Sequence, residues 1–223
     1  MTGRAGAGLL AHEVLPPACA RSPSLALYFV AVAAVFTGFG VFSGPLPSYL
    51  AETLQYDSGT AFALYLVSSL GAALCFGPVG RLVERYDAIG VQTGGLLARA
   101  VLHPSVAVVG LLVPATAGLL TNGVVFTLIG VAWAAVAITA TSIVTRLAPP
   151  AIRGEALGLY TALSGLATGV GSVLGGWLGG YGFTLAFGVA GGCVFLGTAV
   201  VAVLWRRSPS AKPVEAASQT SSP

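Results

Sequence analysis

The chain has 223 residues, 56% of them hydrophobic and only 8% charged, with a mean hydropathy of +0.89. A soluble domain carries about 25% charged residues to keep its surface wet, so a soluble fold is excluded and a multispanning membrane protein is expected, with the lipid bilayer as its solvent. The net charge of +3, without a basic cluster interleaved with aromatics, excludes nucleic acid as a partner, and the scattered Cys19, Cys75 and Cys193 make neither a disulfide framework nor a metal site.

Charges punctuate the chain. Residues 1–23 are rich in Gly, Pro and Ser and read as a loop-like segment. The apolar run that follows is too long for the core of a cleavable signal. Ser22 to Ala51 gives 30 uncharged residues and Ser58 to Gly80 another 23, each enough for one crossing, which needs about 20. Ala100 to Thr145 and Ala156 to Trp205 run for 46 and 50 residues, taking His103 as neutral. A 50-residue helix would be about 75 Å long, so each of these runs must fold back once. The expected breaks are Pro114 to Gly123 and Gly179-Gly180-Tyr181-Gly182. Six spans result, near 25–50, 59–80, 88–113, 123–145, 157–178 and 184–205, within a transmembrane unit of 24–207. The Ser/Pro/Ala-rich 208–223 reads as a disordered tail.

Lys and Arg set the orientation. Arg4, Arg21, Arg81, Arg85, Arg146, Arg153, Arg206, Arg207 and Lys212 all fall on the tails and the even-numbered loops, whereas the first loop carries Glu52 and Asp57. Both termini are therefore expected in the cytoplasm, in the plasma membrane. Spans two and five also align at an offset of 95: Leu64-Tyr65 with Leu159-Tyr160, Ser69 with Ser164, Ala72 with Ala167, Gly80 with Gly175 and Tyr86 with Tyr181. Those spans run in opposite directions, as two inverted three-helix repeats would require.

The second loop reads Gly77-Pro78-Val79-Gly80-Arg81-Leu82-Val83-Glu84-Arg85-Tyr86-Asp87. Its Gly80, Leu82, Glu84 and Arg85 resemble the cytoplasmic loop signature of the major facilitator superfamily. Glu84 stands where that signature usually has Asp, Asp87 where it has Gly, and the trailing basic pair is missing. A glycine here lets two helix ends approach, and a carboxylate can cap a helix N-terminus or pair with Arg. The resemblance thus implies a cytoplasmic gate of Gly80, Arg81, Leu82, Glu84 and Arg85; the competing reading is flanking charges that only set topology. Arg153-Gly154-Glu155-Ala156 is similar to the family's second-half sequence and adds Arg153 and Glu155 to the gate. Gly158, Gly171, Gly175 and Gly176 follow at the spacing of the glycine motif of proton-coupled exporters, with Ala167 and Ser172 replacing a glycine and the proline. Read plainly, they are helix-packing glycines.

Arg99 is the one charge inside a span, roughly 16 Å along the third helix from Ala88. A buried ionisable group is a functional hypothesis by default, set here against a side chain snorkelling to the interface. His103, beside Pro104, reads as a satisfied structural histidine at a kink. Gly38, Gly40 and Gly44-Pro45 predict a bent first helix able to serve as an outer gate. On the fourth span Phe126, Gly130, Trp133, Ala137 and Thr141 share a face. The first and fourth helices of each half line the cavity in the family, which makes Phe36, Thr37, Trp133 and Thr141, with Arg99, the candidate lining residues.

Other six-span classes fail on their residues. A potassium channel would need Thr-Val where Leu178-Gly179 stand, an aquaporin a second Asn beside Asn122, and an intramembrane serine protease a G-x-S-x-G motif. With no metal-ligand cluster or phosphate loop, neither an enzyme nor a cofactor is expected. The resemblance covers about Ser22 to Arg207 as one six-helix half, most like the C-terminal one. It implies half of an alternating-access transporter for a small-molecule substrate, completed by a homodimer or a separately encoded N-terminal half. The alternative is a non-transporting membrane fragment of a truncated transporter gene.

Overall fold

The structure is a computed structural model that describes residues 23–113 and 115–207. The expectations for the N-terminal segment and for the tail beyond Arg207 lie outside the described residues. Helix α1 (Pro23–Ser43) is continued by a short turn, Leu46–Ser48, and a π-helical turn, Tyr49–Thr53. Then come α2 (Ser58–Arg85), α3 (Ala88–Leu112), α4 (Ala115–Leu147), α5 (Arg153–Gly179) and α6 (Phe183–Arg207). These give six helices long and apolar enough to cross a membrane.

Local chemistry explains most of the ends. Pro45 has no N–H to offer the ladder, and α1 stops beside it before the chain resumes in the two short turns. Asp57 caps α2: one carboxylate oxygen accepts from the Thr60 amide at 3.0 Å and the other from the Thr60 hydroxyl at 2.9 Å. Val113 is extended, as a residue before proline must be, and ends α3. Gly180-Tyr181-Gly182 turns the chain between α5 and α6 where expected, with Gly182 at φ +134°, a conformation that a side chain would strain.

Two expected loops are helical instead. Gly77 to Arg85 forms the last turns of α2, with Pro78 inside the helix, so the connection to α3 is only Tyr86 and Asp87. The break expected over Pro114 to Gly123 is likewise confined to its start, because α4 already runs from Ala115. Gly118 and Gly123 break helices in water, where solvent competes for the backbone; in lipid that competition is absent and the ladder continues through them.

Helix α1 is the most buried and packs against α5 and α6. Helix α2 packs against α4, and α3 against both α4 and α6. One apolar cluster joins Leu25, Tyr28, Val32, Leu96, Ile143 and Val194; a second joins Phe42, Leu46, Leu50, Val106, Phe126 and Phe187. By contrast α2 and α5 each bury only a stripe, around Leu64, Gly71 and Ala72 in one and Ser164, Ala167, Gly171 and Gly175 in the other. Their other faces expose Phe62, Leu66, Leu70, Leu166, Val170 and Trp177, more apolar surface than a soluble monomer tolerates and normal against lipid or another helix bundle.

The α1–α5 seam is glycine on glycine. A Cβ on Gly40 would collide with the Thr168 carbonyl and Gly171 Cα, and one on Gly171 with the Thr37 carbonyl and Gly40 Cα. Gly175 meets the Val41 backbone in the same way. Such close approach is how helices associate without help from water. Gly71 and Gly130 do the same for α2 and α4, against the backbones of Thr127 and Ser68.

Candidate functional site

A cleft of about 300 Å³ lies among α1, α2, α4 and α5, with one residue from α3. Helical spacing aims its walls. Phe36, Phe39 and Ser43 come from one face of α1, Tyr65, Ser69 and Ala72 from one face of α2, and Phe126, Gly130 and Trp133 from one face of α4. Thr168 of α5 and Ser68 of α2 add hydroxyls.

Arg99 is the charged lining residue. It does not snorkel: it is 8% exposed, and its guanidinium carbon sits 3.9 Å from the centroid of Phe39 and 5.4 Å from that of Trp133. Both contacts are cation–π geometry. Its Nε donates to His103 Nε2 at 3.3 Å, one helical turn along. No carboxylate of the described residues lies within salt-bridge distance of it. His103 is fully buried, stacked on Phe42 at 4.3 Å with the rings 10° apart. Because Nε2 accepts, the neutral ring carries its proton on Nδ1, which has no partner. The histidine is therefore only half satisfied, where a fully satisfied one was expected. Phe36 and Phe39 meet Trp133 edge-on at 6.2 and 5.8 Å, so three aromatic rings wrap the guanidinium side of the cleft.

Of the five expected lining residues, Phe36, Arg99 and Trp133 come together here. Thr37 does not: it faces α5, its carbonyl against Gly171. Thr141 is exposed and its hydroxyl returns to the Ile138 carbonyl at 3.3 Å. Eight residues beyond Trp133, it has rotated about 80° round the helix. Sequence reasoning missed Phe39, Phe42, Tyr65, Ser68, Ser69 and Thr168. The signal for the α2 residues was present, as polar side chains at Tyr65 and Ser69 spaced by one turn within an apolar span.

The family model of the Major Facilitator Superfamily matches residues 28–223. The chain belongs to the Major Facilitator Superfamily. Members of this superfamily are transporters, and the chain is accordingly a membrane protein of a solute-transport family. Comparison with curated proteins and with solved structures gave no match.

The superfamily signature sits at one end of the bundle. Arg81, Leu82, Glu84 and Arg85 are exposed on the last turns of α2, and Arg153 and Glu155 are exposed on the first turn of α5. The close helix approach expected at Gly80 is missing among the described residues, since a Cβ there meets nothing within 4 Å. The ion pair at this end is between other residues: Arg146 reaches Asp87 at 3.8 Å. The packing glycines also divide. Gly171 and Gly175 hold α1, while a Cβ on Gly158 or Gly176 meets nothing within 4 Å. The 100° step from Gly175 to Gly176 turns the second away from α1, and the motif alone does not say which glycine faces in. Among the described residues no three His, Cys, Asp or Glu side chains gather to hold a metal ion.

Proposed function

We propose that the chain is one six-helix half of a secondary transporter that moves a small solute by alternating access, with the cleft as its half of the substrate site. The observation that carries this reading is the cleft's position. It is walled by α1 and α4 and flanked by α2 and α5, the two helices with the most unburied apolar face. A second half, either another copy or a separately encoded N-terminal half, seats against those faces and encloses the cleft. Phe36, Arg99 and Trp133 face the solute. Gly80, Arg81, Leu82, Glu84, Arg85, Arg153 and Glu155 form the cytoplasmic gate with the second half, which fits the exposure of the charged members and their lack of side-chain partners among the described residues. The interrupted end of α1 beyond Gly44-Pro45 is the outer gate.

Two inverted three-helix repeats are supported by the packing pairs. Exchanging α1 with α4, α2 with α5 and α3 with α6 turns the α1–α5 contact into α4–α2, the α1–α6 contact into α4–α3, and leaves α3–α6 as it is. The Lys and Arg distribution supports both termini in the cytoplasm of the plasma membrane. Arg85→Cys and Tyr181→Cys, both at exposed positions, then label from opposite sides of the membrane with an impermeant maleimide; labelling from the same side rejects the topology.

Mass measurement in nanodiscs of native lipid is expected to give either twice 22.2 kDa or a complex with a chain of similar size. Vesicles holding that complex take up or release solute, and Glu84→Ala in the gate lowers the flux at least about tenfold, which is a transition-state change of about 1.4 kcal/mol. A chain that stays alone and carries nothing is a non-transporting fragment.

A further inference from the structure

We propose that the solute is a small organic monoanion, a monocarboxylate with an apolar or aromatic body, and that its carboxylate is taken by Arg99. The inference rests on the cleft being the solute site and deepens that reading. A cation held inside a membrane bundle needs a counter-charge, and Arg99 has none among the described residues. Phe39 and Trp133 stabilise the guanidinium through their ring faces but cannot neutralise it. Its Nε is committed to His103. The two terminal nitrogens carry no hydrogen bond among the described residues and are not closed off from the cleft, which leaves an end-on fork of N–H donors. That fork matches a carboxylate, which accepts two parallel hydrogen bonds from it.

The rest of the cleft sets the body and the charge. Arg99 is the single cation in the lining, and the other polar groups there are neutral: the Trp133 indole N–H and the hydroxyls of Ser43, Tyr65, Ser68, Ser69 and Thr168, of which Ser43 and Thr168 already donate to their own helices. Neutral donors can bond a second anionic group without neutralising it, so a dianion such as a phosphate ester would leave one charge uncompensated once the second half encloses the cleft. His103 supplies no further charge toward the cleft, being buried behind Phe42 with Nε2 facing Arg99. Phe36, Phe126 and Trp133 offer ring faces and edges for a flat apolar body. A volume of about 300 Å³ is at the lower end of small-molecule sites, which favours a small solute. A cationic solute would meet Arg99 head-on.

The same carboxylate chemistry can come from an acidic side chain of the second half, and the test separates the two sources. The protein is purified in nanodiscs of its own lipid with whatever chain accompanies it. Binding of benzoate, phenylacetate and hexanoate is measured by calorimetry and by quenching of tryptophan fluorescence, against benzamide, benzylamine and inorganic phosphate, with empty nanodiscs as blank. At least one of the three carboxylates is expected to bind at least about tenfold more tightly than its neutral and cationic analogues and than phosphate. Arg99→Gln removes that preference; Arg99→Lys keeps part of it, because the charge stays and the fork is lost. Equal binding of benzamide and benzoate overturns the proposal on the wild-type protein, whether or not Arg99→Gln folds. So does a failure of all three carboxylates to bind, which is the result if a partner's carboxylate already occupies Arg99. Carboxylate binding without flux refutes the transport reading and leaves the anion site standing. Flux of a neutral solute that survives Arg99→Gln does the reverse.

Discussion

Adding one methyl group to α5 distinguishes a packed glycine from an idle one. In Gly171→Ala the new Cβ would lie 3.0 Å from Gly40 Cα and closer still to the Thr37 carbonyl. Carbon atoms sit comfortably at about 3.5–4.0 Å, so α1 and α5 must separate by about 0.5–1 Å. Both obstructing groups are backbone, so no rotamer change can give way. A gap of that size forfeits roughly a quarter to a half of the dispersion energy of the contacts it opens, and overpacking of this kind costs about 1–3 kcal/mol. Gly176→Ala, five residues on in the same helix, places its methyl where nothing lies within 4 Å. It is expected to be neutral or to stabilise by up to about 1 kcal/mol from helix propensity alone. Reversible unfolding of both variants and wild type in mixed bicelles, titrated with dodecyl sulfate, gives the two numbers side by side. The reasoning fails if the two substitutions shift the midpoint equally, or if Gly171→Ala unfolds no earlier than wild type.

Three further expectations use other parts of the bundle. Gly130→Ala drives a methyl into the Ser68 carbonyl of α2 and should cost about 1–3 kcal/mol, whereas Gly123→Ala in the same helix meets nothing within 4 Å and should be near neutral in the same titration. The Asp57 carboxyl is held below its ordinary 3.8 by the Thr60 amide first, then the Thr60 hydroxyl and the Gly59 amide. A depressed folded-state value means that its contribution is complete above the unfolded pKa and is lost as the pH falls through the lower folded one. NMR titration of the Asp57 carboxyl carbon should therefore show a midpoint below 3.8, and Thr60→Val, which keeps the amide and removes the hydroxyl, should raise it in part; a wild-type midpoint at or above 3.8 refutes the cap, and no movement in Thr60→Val refutes the hydroxyl's share. The Arg146–Asp87 pair at 3.8 Å is open to solvent, with Arg146 55% exposed. Asp87→Asn should thus change stability by no more than about 1 kcal/mol, with the difference vanishing in high salt; a larger loss would mean that the pair is shielded.

The number and type of the helices were legible because lipid leaves the backbone so little choice. Arg85 ends α2 and Asp57 opens it, and Gly180-Tyr181-Gly182 was a turn in the sequence and in the structure. Less legible were the ends at Gly77 to Arg85 and Ala115 to Gly123, where residues that break helices in water were counted as loops although the helix runs on. In the cleft, Arg99 stood out as the lone charge and Trp133 as an aromatic at helical spacing from Phe126, whereas Phe36 followed from the family resemblance, which sets the first helix against the cavity. Ser68 and Thr168 did not, because a Ser or Thr hydroxyl in a membrane helix can bond its own backbone, as Thr168 does to the Ser164 carbonyl at 2.8 Å. Which helix lies beside which is also not a local property: only the α1–α5 and α2–α4 pairings bring Thr168 and Tyr65 to the walls facing Trp133.

The glycine seams bear on where the bundle is stiff. Across Gly40 and Gly171, and across Ser68 and Gly130, the touching atoms are backbone, and backbone cannot rearrange without unwinding a helix. Each pair, α1 with α5 and α2 with α4, therefore behaves as a single beam. Where α1 faces α4 across the cleft the contact is of another kind: Phe36 and Phe39 lean on Trp133 through ring edges, and rings can pivot about their side-chain bonds. Elsewhere α3 and α6 tie the two beams together through backbone, at Gly38 against Ala190, Gly191 against Ala100 and Gly95 against Ala132, so a molecule entering the cleft meets side chains that can turn, set in a frame that cannot.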